Sequence, residues 1–308
     1  MQVDMDHPLC RELLVRLERE LEVLPDKPDE TPLNTLNCLC ALVAGRPLAL
    51  SQAGAAELVE LDQAGQQRLR QLVERRLANV PLAHLTGRQD FMGLVLLASE
   101  AALVPRRETE LLGWAALGKI ESASAEEPLV VDLCTGSGNL ALAMAVHAPQ
   151  AKVWGSDLSP QAVELARQNA RFVGRPDVTF VAGDLAEPFD HPDFLGRVDV
   201  LICNPPYISS AKVDNMHAEI SEHEPRLAFD GGPFGVKVLL RLLKDAPRLL
   251  KAGGWLLFEV GLGQGGPMHK RLAGLPAFAE VESVQDANGD IRALAARRSA
   301  IVAAAGRV

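Results

Sequence analysis

The stretch Val131-Asp-Leu-Cys-Thr-Gly-Ser-Gly138 decides the fold, because it links a short apolar segment to a glycine turn and then to a helical pattern. Residues 129–133 have the length and composition of a buried strand, and residues 139–147 have those of a buried helix. Gly136 and Gly138 let the backbone turn sharply and approach a ligand closely. A strand that turns at glycines into a helix indicates a parallel sheet with a ligand at its carboxyl edge.

Strand and helix patterns keep alternating on the carboxyl side of this turn. The last two strand patterns, 279–284 and 291–296, flank the turn 286–290 and predict an antiparallel hairpin. The whole order predicts an α/β fold with a mostly parallel, Rossmann-like sheet. The other predicted strands are 152–156, 178–182, 198–203 and 255–260, and the other predicted helices are 160–173 and 236–250.

The amino-terminal part has a different pattern. Leucines at helical spacing in residues 9–24, followed by further helical patterns at 33–44 and 62–79, predict a small all-helical domain over residues 1–80. Residues 81–106 contain a short extended pattern that predicts a hairpin linker, and residues 107–308 form the predicted catalytic domain. We expect the helical domain to recognise a substrate.

Composition excludes several classes of protein. Apolar residues make up 48% of the 308 residues, and the net charge is -9, which disfavours broad binding to phosphate backbones or anionic membranes. The chain has no apolar stretch long enough for a membrane span and no apolar signal segment at its start. Its five cysteines and seven histidines show no metal-ligand spacing. We expect a cytoplasmic protein, a monomer, without a metal.

Two acidic residues follow the next two predicted strands. Asp157 lies nineteen residues after Gly138 and is placed to accept both hydroxyls of a ribose. Asp184 is placed to accept an exocyclic amino group. The third glycine of a dinucleotide fingerprint is missing, which disfavours a hydride-transfer enzyme. These features favour a nucleoside-bearing cofactor, although each acid taken alone could merely cap a helix or a turn.

The end of the fourth predicted strand reads Asn204-Pro-Pro-Tyr207. Pro205 and Pro206 cannot donate sheet hydrogen bonds and force the chain out of the sheet. The Pro205 carbonyl and the Asn204 amide oxygen then converge as two acceptors. A planar NH2 group held between them would donate both hydrogens, with the Tyr207 ring over its π-system.

These motifs resemble the class I S-adenosylmethionine methyltransferases that methylate planar amino or amide nitrogens. Within that class the chain resembles the protein-(glutamine-N5) methyltransferases of the PrmC/HemK type, which modify the Gly-Gly-Gln glutamine of class I peptide release factors. The likeness covers about residues 80–298. Its further carriers include the segments 81–87, 91–93, 104–110, 204–208, 223–232, 258–261 and 286–292.

The resemblance implies a role for each matching residue. Asp157 would bind the cofactor ribose, Asp184 the adenine amino group, and the turn from Thr135 to Gly138 the methionine moiety. Asn204 and the Pro205 carbonyl would hold the glutamine amide. The remaining residues implied in cofactor binding are Asp132, Ser137, Leu158 and Leu185, together with Asn204.

Phe91 and Arg106 precede the catalytic domain and could border the substrate entrance. For Phe91, packing within the hairpin is the favoured alternative, and Arg106 could equally be a surface ion-pair residue. The chain departs from the family pattern at Arg107, Cys134 and Asn139. Cys134 resembles instead the sister enzymes that methylate a glutamine of a large-subunit ribosomal protein. These departures keep a ribosomal protein open as an alternative substrate to a release factor.

Three rival functions stay open. A nucleic-acid methyltransferase acting on adenine N6 or guanine N2 would need a basic face, which the net charge of -9 disfavours. A relative that alkylates a small metabolite would fit an atypical amino-terminal part. A binding module without activity is disfavoured, because cofactor binding alone does not require the intact segment 204–207. We expect a release factor as the protein partner and no direct binding of nucleic acid.

Overall fold

The structure is a computed structural model that describes residues 7–55 and 61–300. The outer ends of the predicted domains, at residues 1 and 308, lie outside the described residues, as do the first six residues, on which the expected absence of a signal rests. Within the described ranges, no helix is long and apolar enough to cross a membrane.

The amino-terminal region is helical, as predicted. Each helix begins where a side chain accepts a backbone N–H: His7 from Leu9, Thr31 from Asn34, and Asp62 from Gly65. The apolar faces of these helices, rich in leucine, pack on one another and form a core separate from that of the sheet. The helices are α1 (Pro8–Glu20), α2 (Pro32–Val43) and α3 (Gln63–Leu77), with a 3-10 helix at Leu50–Ala55.

A short helix and a two-stranded hairpin connect this region to the sheet. The helix α4 (Leu82–Thr86) ends at Gly87, and β1 (Arg88–Phe91) then pairs antiparallel with β2 (Leu94–Leu97). The hairpin is tight because Met92 and Gly93 both adopt positive φ, at 47° and 78°. The predicted strand pair is therefore confirmed.

Seven strands form the main sheet in the order β5-β4-β3-β6-β7-β9-β8. The first five of these are parallel, and the last two run as an antiparallel hairpin along one edge. This confirms the predicted fold class. The strands are β3 (Leu129–Leu133), β4 (Lys152–Asp157), β5 (Thr179–Ala182), β6 (Val198–Cys203), β7 (Leu250–Glu259), β8 (Phe278–Gln285) and β9 (Ile291–Arg298).

Helices cover both faces of the sheet. The side chains of alternate strand residues divide between two cores: Val130 and Ile202 face one layer of helices, whereas Val131 and Leu201 face the other. The first layer consists of α5 (Thr109–Glu121), α6 (Asn139–His147) and α7 (Pro160–Phe172). The second consists of α10 (Lys237–Leu249) and α11 (Gly265–Ala273).

Helix α11 was not predicted, because the glycines at its start favour a loop. Met268 and Leu272 of this helix are buried against the sheet, so tertiary packing outweighs the low helix propensity. The segment after β6 also departs from a plain loop. It contains α8 (Ser210–Val213), α9 (Ala218–Ser221) and a 3-10 helix at Arg226–Ala228.

Buried ion pairs attach this segment to the amino-terminal helices. The guanidinium of Arg76 in α3 donates to Glu30 at 2.8 Å and to Glu219 of α9 at 2.9 Å, and all three side chains are buried. Lys27 also pairs with Glu219. Because a buried charge is costly unless it is paired, these contacts fix the position of the segment after β6 relative to α3.

Candidate active site

A cavity of about 460 Å³ lies at the carboxyl ends of β3, β4, β5 and β6. The crevice forms here because the chain proceeds outward from β3 through β4 to β5 and then returns to add β6 on the other side of β3, so the strand order reverses at β3. Its size is that of a small-molecule site. Its walls include Gly136, Asp157, Leu158, Asp184, Leu185 and Asn204.

The glycine turn after β3 forms one wall. Gly136 and Gly138 adopt positive φ, at 55° and 82°, as the sequence predicts for a sharp turn. Asp132 lies beneath the turn and is fully buried; its Oδ2 accepts from the Thr135 hydroxyl at 2.6 Å and from the Ala141 amide at 3.2 Å. Burial raises the pKa of Asp132 to about 7.

Other residues of the turn hold it in place rather than line the cavity. Ser137 is buried, and its carbonyl accepts from the side-chain amide of Asn169 at 3.0 Å. The same amide donates to the Leu97 carbonyl, while its oxygen accepts from the Leu97 amide at 2.6 Å. The linker hairpin is thereby attached to the glycine turn through one side chain of α7.

Asp157 ends β4 and faces the cavity. Its Oδ2 accepts from the Gly136 amide at 2.9 Å, and its Oδ1 accepts from the Ser159 amide at 2.9 Å. Each carboxylate oxygen keeps a further lone pair, so Asp157 can still accept two hydrogen bonds from a ligand. Burial raises the pKa of this carboxyl, and the backbone N–H groups oppose the rise.

Asp184 also lines the cavity, but one of its oxygens is engaged. Its Oδ2 accepts from the guanidinium of Arg241 in α10 at 2.9 Å. Of the two carboxylate oxygens of Asp184, only Oδ1 is not paired with Arg241. The ion pair was not predicted, because Arg241 lies 57 residues further along the chain and has no motif around it.

Asn204 stands between two cavities. It lines the larger one and also a second cavity of about 120 Å³, whose walls include Pro205, Tyr207, Ile208, Phe229 and Glu259. Pro206 faces the larger cavity. The predicted residues 204–207 are thus brought together at the boundary between the two spaces.

Two residues that were not predicted contact this boundary. The Asn204 amide Nδ2 donates to the Thr109 hydroxyl oxygen at 3.2 Å, and the Tyr207 hydroxyl donates to Glu259 Oε1 at 2.8 Å. Glu259 could have been found from the sequence as an acid at the end of a strand, like Asp157. The register that pairs Cys203 with Phe258 then brings it beside Asn204.

Phe91 is not at the site. Its side chain is 0% exposed and packs in the core formed by α5, α6 and the sheet. This argues against the listed substrate-binding role and agrees with the favoured alternative, packing: an apolar ring at the end of β1 is more stable in the core than at a solvated cavity. Arg106, in contrast, lines both cavities and pairs with Glu224 and with Asp26.

The departures from the family pattern have separate environments. Cys134 and Asn139 line the larger cavity, and Cys134 adopts a φ of 57°, a conformation that favours glycine. Arg107 instead forms a solvent-exposed ion pair with Asp29 at 3.3 Å. Two of the three departures therefore face the cavity.

The parallel sheet, the glycine turn and the strand-end carboxylates define a nucleotide-cofactor fold of the methyltransferase class. The model of the family "Methyltransferase small domain" matches residues 117–236, and the protein is a methyltransferase. The solved hMettl16 catalytic domain, in complex with the MAT2A 3′UTR hairpin 6, has the same fold at 15% identity. Its TM-score is 0.50, and the match covers 69% of this chain and 77% of that one.

Curated relatives define the family more narrowly. The release factor glutamine methyltransferase of Moorella thermoacetica is 36% identical over 264 residues, which cover 85% of this chain and 89% of the relative. The release factor glutamine methyltransferase of Xylella fastidiosa is 38% identical over 230 residues, covering 74% and 81%. The chain belongs to the release factor glutamine methyltransferase family.

Proposed function

We propose that this protein transfers a methyl group from S-adenosylmethionine to the side-chain amide nitrogen of a protein glutamine, the Gly-Gly-Gln glutamine of class I release factors. The observation that carries the proposal is the position of Asn204 between two cavities. A methyl donor and a glutamine side chain in separate cavities would meet at this residue. Residues 204–207 would then touch both reactants.

The residues of the larger cavity fit S-adenosylmethionine. Asp157 keeps lone pairs for two ribose hydroxyls, and Leu158 and Leu185 offer apolar surface for an adenine ring. Asp132 Oδ1 is buried and has no hydrogen-bond partner in the described part of the chain. It can therefore accept a hydrogen bond from a polar group of a ligand bound near the turn. Asp184 would accept the adenine amino group through Oδ1. When bound, S-adenosylmethionine supplies an electrophilic methyl group.

The smaller cavity fits the acceptor amide. The Asn204 oxygen and the Pro205 carbonyl would accept the two hydrogens of the glutamine NH2, and Tyr207 would cover its π-system. An amide nitrogen is a poor nucleophile because its lone pair is delocalised; two hydrogen bonds from its hydrogens localise electron density on it. Transfer would break the sulfur–methyl bond of the donor, which would leave as a neutral thioether, and form the nitrogen–carbon bond; the nitrogen would then be acidic and lose a proton to water. Positioning is therefore the main source of rate, worth about 7–11 kcal/mol in favourable systems.

The amino-terminal region completes the proposed assignment. We assign residues 1–80 to substrate recognition, residues 81–106 to a linker and residues 107–308 to methyl transfer. Asp26 lines the smaller cavity, and its carboxylate pairs with Arg106 at 3.2 Å. The amino-terminal region therefore contributes to the space assigned to the glutamine, which supports a role in recognising the protein that carries it.

The test is the intact mass of a class I release factor, unmethylated as supplied, after incubation with this protein and S-adenosylmethionine. We expect a gain of one methyl group, located by tandem spectra on the Gly-Gly-Gln glutamine. A release factor whose target glutamine is replaced by alanine is the matched control and should gain none. Methylation of both forms, or of neither while the cofactor still binds, would contradict the proposal.

A further inference from the structure

A buried carboxylate lies behind the side chains that would contact the acceptor amide. Glu259 ends β7 and is 1% exposed; its Oε1 accepts from the Tyr207 hydroxyl at 2.8 Å, and hydrogen bonding from the neighbouring Thr109 hydroxyl lowers the pKa of the same carboxyl. Thr109 is the first residue of α5, and its hydroxyl oxygen also accepts from Asn204 Nδ2. Asn204 and Tyr207 are thus both connected to one carboxylate.

The chemistry of these groups fixes the direction of each hydrogen bond. An ionised carboxylate only accepts, and a threonine hydroxyl has a single proton. Thr109 must therefore donate this proton to Glu259, which leaves its oxygen free only to accept. The group of Asn204 that faces Thr109 must then be the NH2 donor. As a result, Asn204 Oδ1 is turned away from Thr109 and is available as an acceptor at the cavity boundary.

We propose that Thr109 and Glu259 are positioning residues that select the amide orientation of Asn204 and so present an acceptor to the substrate NH2. This inference rests on the proposed function. Without the hydroxyl of Thr109, the Asn204 amide loses the contact that distinguishes its oxygen from its nitrogen. In the reversed orientation, its NH2 group would face the substrate NH2 group, donor against donor.

The charge of Glu259 controls the same selection. Burial raises the pKa of Glu259 to about 7, against the hydrogen bonds from Thr109 and Tyr207. Its other charged neighbours are Glu108, at the start of α5, and Arg292 of β9. A protonated Glu259 can donate to Thr109, whose proton is then free to point at Asn204 Oδ1. Transfer should therefore be faster above about pH 7 than below it.

The kinetic test compares isosteric variants. Thr109→Val removes the hydroxyl but keeps the branched shape, and we expect kcat to fall by about 10- to 100-fold while cofactor affinity is unchanged. Thr109→Ser restores the hydroxyl and should recover kcat to within about threefold of the wild type. Thr86→Val is the matched control: Thr86 is buried in α4, and its hydroxyl donates to the Leu82 carbonyl, away from the site.

A second readout needs neither substrate nor cofactor. Tyr207 is the single tyrosine of the chain, so a change in the tyrosine absorption band reports on this residue alone. Ionisation of Glu259 changes the acceptor of its hydroxyl, and we expect the band to shift with a midpoint near pH 7. The shift should be lost in Glu259→Gln and retained in Thr86→Val.

The two readouts separate the possible failures. In one outcome, the wild type leaves the release factor unmethylated, but the tyrosine band shifts and Glu259→Gln abolishes the shift. The proposed function then fails, while the hydrogen bonding of Tyr207 to Glu259 is supported. If the wild type methylates the release factor and Thr109→Val keeps kcat within twofold, the positioning role is overturned. A Thr109→Ser variant as slow as Thr109→Val would also overturn it, because shape rather than the hydroxyl would then matter.

Discussion

The two walls of the larger cavity are built from different kinds of contact. The glycine-turn wall, residues 132–138 and 157–159, is held by hydrogen bonds between side chains and nearby backbone, such as Ser159 to Asp157 across two residues. The Asn204 wall, residues 204–208 with Thr109 and Glu259, is held by side-chain pairs. Asn204 and Thr109 are 95 residues apart, and Tyr207 and Glu259 are 52 apart.

The two walls are therefore stabilised by different parts of the chain. The glycine-turn wall depends on β3, β4, the turn between β3 and α6, and Asn169 of α7, none of which lies in the amino-terminal helices. The Asn204 wall leads into the segment after β6, which the buried cluster around Arg76 attaches to the amino-terminal helices. Changes in those helices should therefore alter the acceptor side and leave cofactor binding unchanged.

The largest effect is expected where the Asn204 wall depends on α3. Arg76→Met leaves Glu30 and Glu219 buried without their shared cation, and we expect a loss of about 3–5 kcal/mol in the free energy of unfolding. The measurement is urea denaturation. At temperatures where the variant is folded, its KM for the release factor should rise while its Kd for S-adenosylmethionine stays constant.

Arg70→Met is the matched control for this variant. Arg70 lies on the same helix and also pairs with a glutamate, Glu12, but both side chains are exposed to solvent. Its loss should cost a small fraction of the Arg76 effect. Equal losses in the two variants would show that the buried cluster does not hold the Asn204 wall.

A second prediction tests the Asn204 wall directly. Asn204→Ala removes the acceptor proposed to hold the substrate amide, and we expect kcat to fall by about 10²- to 10³-fold, the range for losing one preorganised partner of a reacting group. Single-turnover methyl transfer measures the change. The midpoint of thermal unfolding should match the wild type, and the cofactor Kd should change far less than kcat. A variant whose cofactor affinity falls in parallel with kcat would place Asn204 on the cofactor side instead.

A third prediction breaks the glycine-turn wall. Asp157→Asn keeps one acceptor oxygen but removes the charge, and the cofactor should lose about 1.5–3 kcal/mol of binding, or ~10- to 100-fold in Kd. Calorimetric titration measures it. Asp190→Asn, at an exposed aspartate that pairs with Arg248 away from the cavity, should bind normally. An Asp157 variant with the wild-type Kd would contradict the proposed ribose contact.

The last prediction, the smallest when expressed per pH unit, concerns the carboxyl beneath the turn. Burial raises the pKa of Asp132 from 3.8 to about 7, so between these values the folded protein holds a proton that the unfolded chain has lost. Stability should therefore decline as pH rises through this interval, by at most about 1.4 kcal/mol per pH unit from this group. Asp132→Asn should show a flatter profile of unfolding free energy. An unchanged slope would contradict the assigned shift.

The fold could be predicted because its signals are local. Strands β3 and β6 begin and end where the apolar runs do, and Gly136 and Gly138 take the positive φ that a sharp turn requires. Helix α11 could not be predicted, since glycines obscure its start and burial of Met268 and Leu272 against the sheet stabilises it.

The candidate site was predicted unevenly for the same reason. Residues 204–207 and Asp157 stand at strand ends, where the sequence motif itself gives their position. Thr109, Arg241 and Arg76 have partners far along the chain, and single-sequence patterns carry no information on such pairs. Phe91 is a different case: it was listed as a possible substrate contact, but packing was the favoured alternative, and the structure buries it.

A competition for the labelled methyl group tests the proposed substrate. The protein is incubated with labelled S-adenosylmethionine and equal amounts of a class I release factor, a large-subunit ribosomal protein that carries a methylatable glutamine, and total RNA. We predict label on the release factor alone, located by tandem spectra on the side-chain nitrogen of the Gly-Gly-Gln glutamine. Label on the ribosomal protein or on RNA, with the release factor unmodified, would contradict the account.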